Sequence, residues 1–298
     1  MNTALVRRVH NATNVLHSFI YFAPEAEEHF TGAGLESGRM CYFAGRSAAM
    51  GAVGPGVVTA TFYNFSPGPI RRCIPRAWSL ASPADVTTAR FAAVDAAMPR
   101  LLGADVTGSA GLARLADLVR EAASVCTAEG RPLYAGHAEL DWPSAPHLVL
   151  WHGLTLLREY RGDGHIAALG TARLSGIEAL ITHSATGQGF LAGFAQASRG
   201  WTDEEWAAAS QGLVARGLLT SGGELTEAGQ ALRDKIEAET DTLAAAPWHH
   251  LGDERTEQVI TAGRQLTRTA LAAGALPQQG VFAPRRATPA RTAGEAGQ

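Results

Sequence analysis

Residues 201–250 spell out one small structural unit in a fixed order, and no other stretch of the chain restricts the fold as much. Trp201-Thr-Asp-Glu-Glu-Trp206 leads a helix. Gly217-Leu-Leu-Thr-Ser-Gly-Gly-Glu-Leu-Thr226 reads as two short strands around a Gly-Gly tip. Glu227-Ala-Gly-Gln-Ala-Leu-Arg233 begins a second helix. The window is also acidic. Asp203, Glu204, Glu205, Glu224, Glu227, Asp234, Glu237, Glu239 and Asp241 stand against Arg216, Arg233 and Lys235, a balance of −6. A module that grips nucleic acid gains much of its affinity by neutralising phosphates with Lys and Arg. On charge alone this window is expected to repel a duplex.

The rest of the composition describes a globular chain. Of 298 residues, 46% are hydrophobic and 18% charged, enough to bury one large core or two smaller ones. The net charge of −3 gives no reason to expect a polyanionic partner. Lys235 is the single lysine, and alanine and glycine abound, which reads as a GC-rich coding bias. Cys41, Cys73 and Cys126 are too few and too scattered for a disulfide framework or a zinc knuckle, and are expected to be buried, inert thiols. No run of about 18 apolar residues exists, so no membrane span is expected. Arg7-Arg8 is followed by His10, Asn11, Asn14 and His17, a poor signal peptide, so a cytoplasmic protein is expected.

Periodicity makes the chain mainly α. Helices are expected over 4–20, from Pro24, over 38–50, from Pro55, and from Ser82-Pro83 toward Leu102, with Pro99 bending or ending the last of these early. Residues 110–127 carry Leu112, Leu115, Val119, Ala122 and Cys126 on one face. A strongly apolar helix from His147 to Tyr160 is expected, with Ser144 as its cap. Gly162 should break it and Asp163 cap the next segment, 164–172. Helices over 175–184 and from Asp253 to Ala273 complete the pattern. The expected organisation is an N-terminal helical ligand or substrate domain (1–185), a C-terminal domain of helices around the hairpin together with the final helix (186–276), and a disordered tail (277–298).

Two groups of residues stand out as candidate chemistry. Trp151-His152 through Arg158-Glu-Tyr-Arg161-Gly-Asp163-Gly-His165 gathers two imidazoles, two guanidinia and a carboxylate around the expected break. A helix N-terminus there would aim free N–H groups at one point. Arg158 and Arg161 would clamp an anion, His165 and His152 would move protons, and Asp163 would orient them or cap the helix. The second group is aromatic and N-terminal: His17, Tyr21, Arg46, Tyr63 and Asn64 among Phe19, Phe22, Tyr42, Phe43, Phe62 and Phe65. Such a set describes a ligand pocket, or equally a helical core with tyrosines at its rim. Arg46 fits plain packing least, because a buried guanidinium needs a carboxylate or a ligand. No metal is expected, since no H-E-x-x-H, E-x-x-H or Cys/His finger spacing occurs, and no cofactor is implied. P-loop, nucleophile-elbow and dinucleotide-binding patterns are also missing.

Two resemblances follow from these residues. Thr202 to Thr240 resembles the winged helix of MarR-like regulators, most visibly in Gly217-Leu-Leu, the Gly222-Gly223 tip and Leu225-Thr226-x-x-Gly229-x-x-Leu232. The whole chain resembles a group of uncharacterised actinobacterial proteins often labelled helix-turn-helix proteins. The matching stretches are His17-Ser-Phe-Ile-Tyr-Phe22, Tyr42-Phe-Ala-Gly-Arg46, Phe62-Tyr-Asn-Phe65, Leu156 through His165, and Arg199-Gly-Trp201. The resemblances imply a mainly α chain with a winged-helix-like C-terminal domain, and no particular reaction.

The acidic window turns the functional expectation away from DNA. It favours a small-molecule protein, an acid–base or hydrolytic enzyme working in the helical domain, with a homodimer as one option and DNA and membranes not expected as partners. Two alternatives stand beside it: a ligand-responsive MarR-like transcriptional regulator, and a small-molecule-sequestering self-resistance protein.

Overall fold

Helices make up nearly all the regular structure in the computed structural model, whose described residues are 3–277 and 280–282. The first part runs α1 (Thr3–Ser18), α2 (Pro24–Gly32), α3 (Arg39–Ser47), α4 (Pro55–Phe62), α5 (Pro67–Cys73) and α6 (Ala77–Leu80), with 3-10 turns after α1 and α3. Then come α7 (Pro83–Leu102), α8 (Ala104–Thr107), α9 (Ala110–Ala123), α10 (Pro132–Ala138) and α11 (Pro146–Thr171). The chain closes with α12 (Gly176–Ala185), α13 (Ala192–Arg199), α14 (Asp203–Ala215), α15 (Glu227–Leu243), α16 (Ala246–Leu251) and α17 (Asp253–Ala272). The mainly α class is as the periodicity predicts.

Local chemistry starts these helices where the sequence signals it. Proline in the first turn opens α2, α4, α5, α7, α10 and α11, where its missing N–H would have been unpaired anyway. Ser82 accepts from the Asp85 N–H, and Ser109 from that of Leu112. Ser175 with Glu178, and Thr202 with Glu205, form complete capping boxes.

Three local expectations are corrected. Pro99 lies inside α7, which continues to Leu102. The proline removes one hydrogen bond near the helix end, while Met98, Leu101 and Leu102 are buried, each contributing roughly 1.5–3 kcal/mol. Ser144 caps nothing: Ala145 is the N-cap of α11, and Pro146 begins it. The break at Gly162 does not occur, and α11 runs unbroken through Gly162 and Gly164 for 26 residues, about 39 Å at the helical rise. Two interior glycines cost about 2 kcal/mol together. Burial along most of α11 offsets that, and a Cβ at Gly164 would meet Arg131 Nη1 at 3.0 Å and the Leu243 Cβ at 3.1 Å.

α11 is the spine. Its first half lies in the main core with α1, α3, α7, α9 and α17, around Leu16, Phe19, Phe43, Met98, Leu115, Val119, Leu150 and Trp151. Its C-terminal end supplies Ala168 and Leu169 to a second core with Leu174, Ala179, Ile181, Leu213, Leu218, Leu219 and Ile236. The expected two-stranded hairpin reduces to a single antiparallel bridge between Leu219 and Leu225. Thr220 N donates to Glu224 O (2.8 Å) and Thr226 N to Leu218 O (3.1 Å). Most of the segment from Pro277 onward, expected to be disordered, lies outside the described residues. Within it, Phe282 bridges Phe190 and Val281 O accepts from Leu191 N.

Candidate functional site

α12 and α14 supply residues to the second core, α13 packs on α12, and the Leu219–Leu225 hairpin and α15 follow directly. Between α13 and α14 the chain turns in three residues, Gly200-Trp201-Thr202. Gly200 adopts a left-handed conformation (φ 75°, ψ 30°), and a Cβ there would lie 2.4 Å from Pro69 Cγ. Trp201 Nε1 donates to Asn64 O at 2.9 Å, and the Thr202 capping box launches α14. Leu213 and Trp206 turn inward, while Ala207, Ala208, Gln211, Val214 and Ala215 remain exposed. This is a helix–turn–helix followed by a hairpin.

The structure also relocates the charges of the acidic window. Asp241 and Glu237 face the main body: Asp241 pairs with Arg7 and Arg161, and Glu237 with Arg161 and Arg233. Glu205 Oε2 accepts from Thr202 N, and Asp203 Oδ1 from Gln196 Nε2 at 2.7 Å. Meanwhile exposed arginines come from another part of the sequence. Arg39 donates to Ala197 O at 2.8 Å and lies 3.1 Å from the Cβ position of Gly200. Arg71 and Arg72, in the last turn of α5, are exposed beside Pro69, which packs on the same turn. A balance taken over consecutive residues misses Arg7 and Arg161, which pair with Asp241, and the exposed Arg39, Arg71 and Arg72, because all of these are distant in sequence.

In the body, α1, α3 and α11 bring His17, Tyr21, Arg46 and Arg158 together around a residue outside the candidate set, Glu159. Glu159 is 1% exposed and is held by Arg46 Nη2 (3.1 Å) and Arg158 Nη1 (2.7 Å). Burial alone would raise its carboxyl pKa, but Arg158 and Arg46 hold it well below the usual carboxylate range. The carboxylate partner that Arg46 requires is therefore Glu159. His17 is fully buried, with Nδ1 3.0 Å from Thr155 Oγ1 and Nε2 2.9 Å from Tyr21 Oη, and its ring stacks on Trp151. Burial first, and then the Arg158 charge, keep it neutral.

The remaining candidates lie elsewhere, each in a local contact. With no helix start at 163–165, Asp163 instead accepts from Leu133 N (3.1 Å) and Tyr134 N (2.9 Å), capping α10 from the side. Burial pushes its pKa up to about 6. His165 Nδ1 is 2.8 Å from Thr240 Oγ1 on α15, and burial lowers its pKa to about 3. Tyr63 donates to Leu174 O, and Asn64 offers its backbone carbonyl to Trp201. The first ties the body to the start of α12 and the second to the turn before α14. His152 sits apart, edge-on to Trp142 and beside Phe91, with burial lowering its pKa to about 4.

Arg90 and His137, buried and 3.0 Å apart (Nη1 to Nε2), were not among the sequence candidates. Arg90 lies within the regular apolar face of α7, and His137 in a seven-residue helix too short for a periodic signal. A guanidinium inside a buried face is the signal that marked Arg46, and it marks Arg90 equally. Glu159 was hidden in the run Arg158-Glu-Tyr-Arg161. Among the described residues no group of three His, Cys, Asp or Glu side chains is placed to hold a metal ion, and no helix is long and apolar enough to cross a membrane.

The fold and this turn define a mainly helical protein built around a helix–turn–helix unit. The chain belongs to a helix-turn-helix family, whose model matches residues 6–277. No curated protein and no solved structure matches it. The family match corrects the expectation of an enzyme whose winged helix takes no part in DNA binding: a helix–turn–helix is the feature the family is described by. The charge balance behind that expectation counted Asp241 and Glu237, which pair with arginines of the body, while Asp203, Glu204 and Glu205 stay exposed on the first turn of α14.

Proposed function

We propose that the protein is a DNA-binding transcriptional regulator of the helix–turn–helix class, working as a two-fold dimer, with α14 as the reading helix and the Leu219–Leu225 hairpin as a MarR-like wing. The observation that carries this reading is the α13–Gly200–α14 turn, built and capped as a rigid unit inside a chain of a helix-turn-helix family. Arg39, Arg71 and Arg72 beside the turn supply the phosphate contacts that α14 lacks.

The body suits a ligand-sensing role. A narrow polar crevice, with room for little more than one or two waters as it stands, lies between α1, α11 and α16, with His10, Asn14, His17, Arg158 and Arg161 among its lining. Arg161 also pairs with Asp241 and Glu237 on α15, so a small polar ligand competing for this guanidinium acts directly on the last helix of the DNA-binding unit.

Mobility-shift electrophoresis at low salt, with genomic fragments and the full chain, tests the reading. A retarded band that weakens steeply with added salt is expected. Folded protein that retards no fragment contradicts it.

A further inference from the structure

α14 is held to the second core by Leu213 and Trp206. At about 3.6 residues per turn, the side opposite them carries Glu204, Ala207, Ala208, Gln211 and Ala215, all exposed, with Val214 beside them at 38% exposure. That outward face has no Lys or Arg. Arg216, which ends the helix, pairs with Glu178 at 2.9 Å. The hairpin tip, Thr220 to Glu224, is exposed and also lacks a basic side chain.

The major-groove edges of the bases sort these side chains. Guanine offers two acceptors, N7 and O6, which Arg or Lys matches and this face does not. The Glu204 carboxylate accepts only, so it repels that edge. Adenine offers an acceptor, N7, beside a donor, N6–H₂. The Gln211 amide donates to the first and accepts from the second. Thymine offers its methyl group, which the alanines and Val214 can cover without leaving a polar atom unpaired. Ala208 to Ala215 spans about 10 Å of helix, or roughly three base-pair steps. Gln211 and the alanines therefore fall over adjacent pairs of one half-site.

We propose that α14 selects an A·T-rich half-site from the major groove, with Gln211 pairing to an adenine and Ala207, Ala208, Val214 and Ala215 packing on thymine methyl groups. This rests on α14 being the reading helix and adds which bases it selects. An arginine inserted into a narrow minor groove also favours A·T pairs. The hairpin tip carries none, so the selection belongs to α14.

The test uses the full chain and three pools of random duplexes, followed by fluorescence anisotropy over a salt series. One pool is A·T-rich and one G·C-rich. The third is A·T-rich with deoxyuridine in place of thymidine, which removes only the methyl group in the major groove. The A·T-rich pool should bind about tenfold more tightly than the G·C-rich pool, and loss of the methyl groups should weaken it roughly threefold or more. Gln211→Arg supplies the donor that guanine needs, so it should improve binding of the G·C-rich pool about tenfold relative to the A·T-rich pool. The residue is exposed, and an unchanged melting temperature checks that the variant is folded. Equal affinity for the A·T-rich and G·C-rich pools overturns this proposal and leaves the DNA-binding reading standing. So does a deoxyuridine pool that binds as well as its thymidine counterpart, or a Gln211→Arg protein with the wild-type preference. Folded protein that binds no pool even at low salt overturns both.

Discussion

Arg161 on α11 and Asp241 on α15 form a buried ion pair, Nη1 to Oδ1 2.8 Å, and Arg7 of α1 reaches the second oxygen of the same carboxylate at 2.7 Å. One side chain thus ties the first helix, the spine and α15. Replacing it leaves Arg161 largely buried without its main partner. Asp241→Ala is expected to cost about 3 kcal/mol, read as a lower urea midpoint with unchanged slope.

The turn between α13 and α14 depends on glycine at one position. Gly200→Ala must hold a Cβ in a left-handed conformation against Pro69, so it should destabilise by about 2 kcal/mol and weaken duplex binding. Gly212→Ala, in the interior of α14 where a Cβ meets nothing, should stabilise by roughly 0.5–1 kcal/mol. Urea titrations of the two variants should move in opposite directions.

Buried histidines make the fold acid-sensitive. Burial is the main cause lowering the pKa of His10 and His165 to about 3 and of His152 to about 4, and His17 and His137 lie well below their ordinary value. The unfolded chain protonates these rings near pH 6.5 and the folded chain does not. Their contribution is therefore complete above pH 6.5 and is lost as pH falls toward the folded values, at roughly 1.4 kcal/mol per pH unit for each histidine. Asp163 opposes them: its pKa is raised to about 6, so its contribution falls as pH rises from the unfolded value toward 6. Several histidines outweigh one carboxyl. Melting temperature should drop most steeply between about pH 6 and 4, and a flat profile there would contradict the neutral, buried assignment.

Arg71 and Arg72 carry the proposed phosphate contacts without taking part in packing. Alanine at each should reduce the slope of log K against log salt by about one and weaken binding to all sequences alike. Anisotropy titrations over a salt series measure this, and the melting temperature should stay unchanged.

Helix starts were readable because caps and first-turn prolines act within four residues, as at Ser82, Ser175 and Thr202. The continuity of α11 was not, because Gly164 is buried against Arg131 and Leu243, far away in the chain. The same limit governed the site. His17, Tyr21 and Arg46 stood out by residue type, but the carboxylate that joins them, Glu159, is identified only by three-dimensional contact. His165, Asp163 and Tyr63 are polar for reasons of local satisfaction: each bonds a group on another helix or loop that sequence spacing does not reveal.

Selection of binding sites from a pool of random duplexes by the full-length chain addresses the central claim most directly. The account predicts an enriched motif with two-fold symmetry and half-sites about one helical turn apart, lost when α14 is disrupted by Leu213→Asp. Recovery of no motif by natively folded protein at low salt would contradict it.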